Sequence, residues 1–267
     1  MEYYVISAAD KIVSVTSTSK TATHISIPAE VNGFRVIEIS SSFAQSNKNL
    51  ESVVIPEGIT SIKREAFFDC ISLTSLYIPA SVTSIKPSSF HGCINLREVV
   101  VADDNPVYDS RDNCNGIIET ATNSLIFGNQ YTVIPQSVTA IKSYSCKGDV
   151  VIPSQITVID EEAFDGMGEM TSVTIPAGVT AIGDYAFCDC IGLTSVTSLI
   201  TSPFAIDESV FGFDKYYGHT LTATLYVPAG TKALYEAAAG WNLFPNIVEM
   251  ESTVEDEPQT IEVDGIF

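Results

Sequence analysis

Basic residues are scarce in this chain: 13 lysines and arginines stand against 33 aspartates and glutamates, a formal charge of −20. A surface of that sign repels a phosphate backbone, which argues against nucleic acid as a partner. Long hydrophobic runs are missing too. Although 45% of the residues are hydrophobic, no stretch approaches the roughly 18 consecutive apolar residues of a membrane helix, so no membrane span is expected in this segment. The opening Met1-Glu2-Tyr3-Tyr4 has neither the basic start nor the apolar run of a secretory signal. A mature or excised chain would also lack one, so the compartment is not read from it.

Histidine is almost absent. His24, His91 and His219 are scattered, none lies in H-E-x-x-H, and there is no G-x-S-x-G or Walker-type loop. They read as solvated repeat residues, His91 at the variable place beside Phe90. The six cysteines include Cys188 and Cys190 in C-x-C, but no C-x-x-C pair of a zinc site. No enzyme, cofactor or metal is expected. The acidic stretch Asp103-Asp104-Asn105, Asp109 and Asp112-Asn113 offers oxygens suited to calcium, but Pro106 and Arg111 interrupt it and the spacing is not that of a calcium loop. A solvated, turn-rich loop is the expectation there.

What the chain does have is a repeat. Pro56 and Pro79 lie 23 residues apart, as do Pro153 and Pro176, and each closes an Ile-Pro pair. Ile-Pro or Val-Pro recurs at Ile27-Pro28, Ile55-Pro56, Ile78-Pro79, Ile134-Pro135, Ile152-Pro153, Ile175-Pro176 and Val227-Pro228. Ile62, Ile85, Ile141, Ile159 and Ile182 follow five of these prolines at one distance. Phe67, Phe90, Phe164 and Phe187 follow four of those isoleucines at another, and Ile206 to Phe211 repeats that spacing. A short fixed period marks a solenoid, in which a turn of chain cannot bury its own apolar residues and stacks on its neighbours. Around eight coils at the interstrand spacing predict a body roughly 40 Å long.

Each repeated position has a physical role. In Leu73-Thr-Ser-Leu76-Tyr77-Ile78 the alternation puts Leu76 and Ile78 on one face and Tyr77 on the other, the pattern of a strand buried on one side. The proline after it has no N–H for the ladder and turns the chain. Val82 to Ile85 predicts a second, shorter strand, and Ser89 to Cys93 a single helical turn whose Phe90 fills the interior. Cys70, Cys93 and Cys190 stand three residues after a phenylalanine, where Met167 and Ser46 also stand. A slot that accepts Cys, Met or Ser predicts buried free thiols and no disulfide.

The unit I-P-x-x-V-T-x-I-x-x-x-A-F-x-x-C-x-x-L-T-S-V-x-I-P, carried by Ile55 to Leu96 and Ile152 to Val196, resembles the BspA-type leucine-rich repeat of surface proteins in Bacteroidetes and some mucosal protists. Asn105 to Ile126 looks like an insert common in Bacteroides members, and Leu225-Tyr-Val-Pro-Ala-Gly with Trp241 to Ile247 like their closing unit. The resemblance implies a β-rich leucine-rich-repeat solenoid, a right-handed superhelix of short parallel strands and single helical turns, capped at both ends. It also implies a secreted or cell-surface protein that adheres to an extracellular protein or polysaccharide. The alternative is a passive structural spacer or stalk in a larger surface protein. The family offers no catalytic residues to carry over, and the expected assembly is a monomer.

The expected layout is a capping hairpin over 1–25, a solenoid over 26–248 and an acidic tail or linker to a further unit over 249–267. Within the solenoid lie an inserted hairpin or loop at 102–128, pairing Ile117 to Glu119 with Leu125 to Phe127 and bulging from one edge, and a terminal cap at 229–248, with Leu234 and Ala238 on one face of a helical segment and Trp241 and Phe244 over the last coil. The tail closes on Val263-Asp-Gly-Ile-Phe, similar to the start of an N-terminal unit, so the natural chain is expected to continue.

Constant Ile, Phe, Cys and Leu positions are explained by packing, so function is sought in what varies. Register aligns Val54, Tyr77, Val100, Val133, Val151, Thr174, Thr197 and Tyr226 in one outward row beside Ser52, Ser75, Ser172 and Ser195. Exposed strand positions favour such residues anyway. The candidate ligand-binding face is Tyr77, Val100, Thr174 and Tyr226 in that row, with the loop tyrosines Tyr108, Tyr216 and Tyr217.

Overall fold

The computed structural model describes residues 1–145, 148–212 and 221–251. Two ladders of short parallel strands run along the chain, and each is interrupted at the insert. The longer strands form one ladder: His24–Ser26, Ser52–Val54, Ser75–Ile78 and Glu98–Val101 before the insert, and Val150–Val151, Ser172–Ile175, Ser195–Ser198, Thr224–Val227 and Asn246–Glu249 after it. The second ladder stacks Ile12–Ser17, Phe34–Ile39, Ser61–Ile62 and Ser84–Ile85, and resumes with Ser124–Asn129, Ala140–Ile141, Val158–Ile159 and Ala181–Ile182. The array thus has a main-ladder strand at Glu98–Val101 and another at Asn246–Glu249 that the Ile-Pro spacing does not mark. No strand forms around Pro135.

Alternation decides what is buried. In Ser75–Ile78, Leu76 and Ile78 are buried while Tyr77 is 51% exposed. The repeat's threonine has a role of its own: the Thr60, Thr74, Thr180 and Thr194 hydroxyls donate to the carbonyls of Ile37, Glu51, Thr157 and Thr171 one coil back.

Where a single helical turn was expected, the chain makes successive tight turns. In the Glu65 coil, Ala66 N–H donates to Lys63, Phe68 to Glu65, Cys70 to Phe67 and Leu73 to Cys70. Two left-handed residues four apart frame each such segment: Glu65 and Asp69, Ser88 and Gly92, Glu162 and Gly166, Tyr185 and Asp189. Gly92 has a second reason to be glycine, since a Cβ there would run into the Asp69 side chain of the preceding coil. Among the described residues the α-helix is Lys232–Ala237, which buries Tyr235 and leaves Leu234 half exposed, while Trp241 and Phe244 are buried as the cap.

The phenylalanines stack face to face through the interior. Phe67 and Phe90 have ring centroids 5.4 Å apart and planes 2° apart; Phe164 to Phe187 is 5.2 Å and 7°, and Phe187 to Phe211 5.1 Å and 5°. At the ends the stack turns edge-on, with Phe43 against Phe67 at 77° and Phe244 against Phe211 at 70°.

The cysteine slot is a packing position with a bond. Cys70, Cys93 and Cys190 are buried and free, and their Sγ atoms lie 3.2, 3.1 and 3.3 Å from the carbonyl oxygens of Ala44, Phe67 and Phe164. Burial pushes the Cys70 and Cys190 thiols up to about 12, which keeps them protonated and unreactive. The slot expected at Ser46 is filled instead by Asn47, three residues before the buried Leu50 just as Cys70 is before Leu73. Its Nδ2 donates to the Ser19 and Ala22 carbonyls.

The insert does not bulge from an edge; it is threaded through the stack. Ile117–Glu119 pairs antiparallel with Ser124–Asn129, and neighbouring residues face opposite ways. Ile117 and Phe127 enter the core of the first coils, while Ile118 and Leu125 enter that of the later ones. Phe127 packs edge-on against Phe90 at 6.0 Å, and Tyr144 against Phe164 at 5.9 Å, so the aromatic column continues past the interruption.

Candidate binding surface

The outward row exists, in two segments. Tyr77 lies opposite Val100 in the first ladder. In the second, Val151, Thr174, Thr197, Tyr226 and Val248 lie opposite one another in turn. Tyr77 is 51% exposed, Val100 41% and Tyr226 37%, with Thr174 also exposed. Val133 is exposed but belongs to no strand, its N–H donating to Cys114, so it drops out of the row. Beside the row run half-buried serines, with Ser52 opposite Ser75 and Ser172 opposite Ser195.

Tyr108 is corrected outright. It is a buried residue, 4% exposed, whose hydroxyl accepts the Ile85 N–H at 2.9 Å. Its ring belongs to the core because the strand that should follow Ser84–Ile85 is missing there, and a phenol takes the vacant backbone donor. Tyr216, Tyr217, His219 and Cys146 lie outside the described residues, as does the tail from 252.

At the end of the first segment of the row opens a cavity of about 740 Å³, which sequence reasoning missed. Its floor is the free edge of Glu98–Val101. Instead of a next strand, the insert sends side chains to that edge: Asn115 Oδ1 accepts the Val99 N–H at 2.8 Å and Ser110 Oγ accepts the Val101 N–H at 3.1 Å. Asp109 and Arg111 form a two-pronged ion pair, at 2.8 and 2.6 Å, and Arg111 also reaches Asn123. The bonds from Arg111 hold the Asp109 carboxyl below its ordinary value even though burial opposes them. With both Asp109 oxygens clamped by Arg111 and Asn105 Oδ1 accepting from the Val107 and Tyr108 N–H groups, two of the residues considered for calcium have their oxygens already engaged. What remains on the cavity wall is Arg97, Glu98, Val100, Asp103, Asp112 and Asn113. Arg97 also lies over the Tyr131 ring, 5.2 Å from its centre.

Two polar groupings lie on the turn side of the coils. Arg64 Nη2 donates to both carboxylate oxygens of Glu162 at 2.9 Å and Ser88 adds a further bond to that carboxylate, which ties the coils before the insert to those after it. His91 is not solvated as expected; it is half-buried, stacks on Phe68 at 5.3 Å, and burial lowers its pKa. Next to it, Asp165, Cys188 and Asp189 place three potential ligand atoms within 4.8 Å of one another. Burial raises the Asp165 carboxyl to about 6, helped by the charges of Asp189 and Glu162, and pushes the Cys188 thiol up to about 12. The Cys188 thiol and the Asp165 carboxyl share a hydrogen bond, so two of the three groups already satisfy each other.

Among the described residues no helix is long and apolar enough to cross a membrane. No curated protein sequence matches the chain. Among solved structures it is similar to the pneumococcal vaccine antigen PcpA, at 15% identity and a TM-score of 0.50 over 85% of this chain and 68% of that one. A leucine-rich repeat protein from Eubacterium ventriosum is 15% identical with a TM-score of 0.45, over 90% and 81% of the two chains. A leucine rich cell surface protein from Faecalibacterium prausnitzii is 17% identical with a TM-score of 0.35, over 95% and 96%. At such identities PcpA supports the fold and nothing finer. The model of the BspA type leucine rich repeat region matches six copies over residues 37–114 and 142–225, on either side of the hairpin and covering more than half of the chain. The chain belongs to the BspA-type leucine-rich repeat family.

Proposed function

We propose that this chain is a non-enzymatic binding module, displayed on a cell surface or secreted, that engages an extracellular protein or polysaccharide through its outward strand row. The observation that carries the reading is the outward row itself: exposed Tyr77 beside exposed Val100, and exposed Thr174 and Tyr226 in unbroken register on either side of the half-buried Thr197. Stacked coils hold these side chains at a fixed spacing before any ligand arrives, which lowers the ordering cost of binding. Tyrosines on a rigid platform are the residues from which interfaces draw most of their energy. In this reading the paired ends of the array serve as caps that keep its strand edges from joining other chains. The similar proteins described as a surface protein and a vaccine antigen agree with an outside location.

The test is a double substitution, Tyr77→Ala with Tyr226→Ala, in the purified chain screened against extracellular-matrix and glycan arrays. Both side chains are exposed, so the thermal midpoint should hold while saturable binding weakens at least about tenfold. Undiminished binding by the folded variant would remove the row from consideration. Absence of any saturable ligand for the parent chain would favour a spacer.

A further inference from the structure

We infer that the cavity beside Val100 is a subsite for an uncharged oligosaccharide, an inference that rests on the binding reading above and specifies its ligand. An outward face built of strands one rung apart has ridges and no depth. The insert provides depth at one place, because Glu98–Val101 is followed by side-chain bonds instead of a strand. About 740 Å³ is within the range that accommodates a small ligand or a short stretch of a polymer.

The lining decides the class of ligand. Arg97 and Asn113 donate; Glu98, Asp103, Asp112 and the Asn113 carbonyl accept; and all five of these residues are exposed on the wall. An anionic ligand would use Arg97 and meet three carboxylates. A basic peptide would use the carboxylates and meet Arg97, leaving its donors idle. A hydroxyl both donates and accepts, and planar carboxylate, amide and guanidinium groups each bridge two neighbouring hydroxyls. The rim adds what a sugar needs on its C–H face: Val100 is in the lining, with the exposed Tyr77 in register beside it. The frame is fixed in advance. Asn105, Ser110, Asn115 and the Asp109–Arg111 pair spend their polar groups inside the protein and hold the wall in place.

The experiment is isothermal titration of the full chain with neutral gluco-, manno- and xylo-hexasaccharides, with a uronic-acid hexasaccharide and hexalysine as counter-probes. At least one neutral probe should bind, and both Arg97→Ala and Asn113→Ala should weaken it by about tenfold. Glu98→Gln with Asp112→Asn keeps the acceptors and removes the charge, so it should retain binding to within about threefold. All of these side chains are exposed, and unchanged thermal midpoints will certify the fold. Three results would overturn the inference: no neutral probe binds; hexalysine alone binds and is lost in the Gln/Asn variant; or sugar binding ignores Arg97 and Asn113. Tyr226→Ala lies in the other ladder segment and separates the two readings. If it abolishes capture of a matrix protein while no sugar binds, the row stands and the sugar subsite falls.

Discussion

Between Ser75–Ile78 and Glu98–Val101 the backbone ladder joins four consecutive residue pairs, Ser75 with Glu98 through Ile78 with Val101. One coil later the same edge is held by side chains. Asn105 takes the Pro79 and Val82 carbonyls, Tyr108 the Ile85 N–H, Asn129 the Cys93 and Leu96 carbonyls, Asn115 the Val99 N–H and Ser110 the Val101 N–H. Every one of these groups would otherwise await the next coil. On its other side the insert is bonded by backbone to the coil after it, Ser124 and Leu125 pairing with Ala140 and Ile141. By backbone it therefore behaves as the first turn of the later array, laid against the earlier one by side chains, while the buried residues divide into two cores across its hairpin, Ile117 and Phe127 on one side and Ile118 and Leu125 on the other. Backbone pairing is nearly independent of sequence and can propagate indefinitely. A side-chain seam is specific, ends propagation, and makes room for a cavity.

The largest expected effect tests whether the two cores unfold separately. Phe187 is stacked on both faces, and Phe187→Ala should cost about 4 kcal/mol. The single tryptophan, Trp241, is fully buried in the same later core, so its fluorescence reports that core alone in urea denaturation. Phe187→Ala should move the fluorescence midpoint sharply. Phe67→Ala, in the earlier core, should move the circular-dichroism transition and leave fluorescence nearly in place. Coincident shifts in both probes for both variants would show one cooperative unit and break the distinction.

An intermediate effect is expected at the seam itself. Asn105 is buried, donates twice to backbone carbonyls and accepts from the Val107 and Tyr108 N–H groups. Asn105→Ala orphans those groups and should cost about 2–3 kcal/mol, and it should widen the gap between the two unfolding transitions by loosening their coupling. Cys93→Ala removes one weak thiol bond and a small volume from a regular coil, so its cost should be about half as large. If the cysteine variant proves the more damaging, the seam is not where specificity resides.

How much of this the amino-acid sequence disclosed obeys the same division. Ile62, Phe67, Leu73 and Leu76 were legible because each coil asks the same of the same position, and period carries that information. Asn105, Tyr108, Ser110, Asn115 and Asn129 stand at no repeated position; each answers one or two particular backbone groups of the neighbouring coil, which spacing does not encode. Tyr108 was misread for that reason, as an exposed aromatic in a polar loop. The shift from Ser46 to Asn47 was readable in principle, since Leu50 follows Asn47 at the distance that separates Leu73 from Cys70. Counting from Phe43 hid it, because Phe43 fills the place that alanine takes in the next coil. The cavity left no trace in sequence because it is defined by a strand that does not form.

The smallest effect concerns the regular coils alone and their turn row. Burial, then the charges of Asp189 and Glu162, raise the Asp165 carboxyl from its ordinary 3.8 to about 6. A raised acid means the folded state holds more protons than the unfolded chain between those values. Stability should accordingly fall as pH rises from about 4 to about 6 and level off above that. With Asp165 only partly enclosed, the drop should amount to about 1–2 kcal/mol, less than the full shift would give. Asp165→Asn should remove that segment of the pH profile and leave the chain more stable at pH 7, read by urea midpoints from pH 4 to 7 using Trp241. The same titration of Asn105→Ala should keep the slope, since no ionisable group is lost at the seam. A profile that is flat in the parent chain would mean that Asp165 is solvated, and that the acidic turn row contributes nothing to the difference between coil and seam.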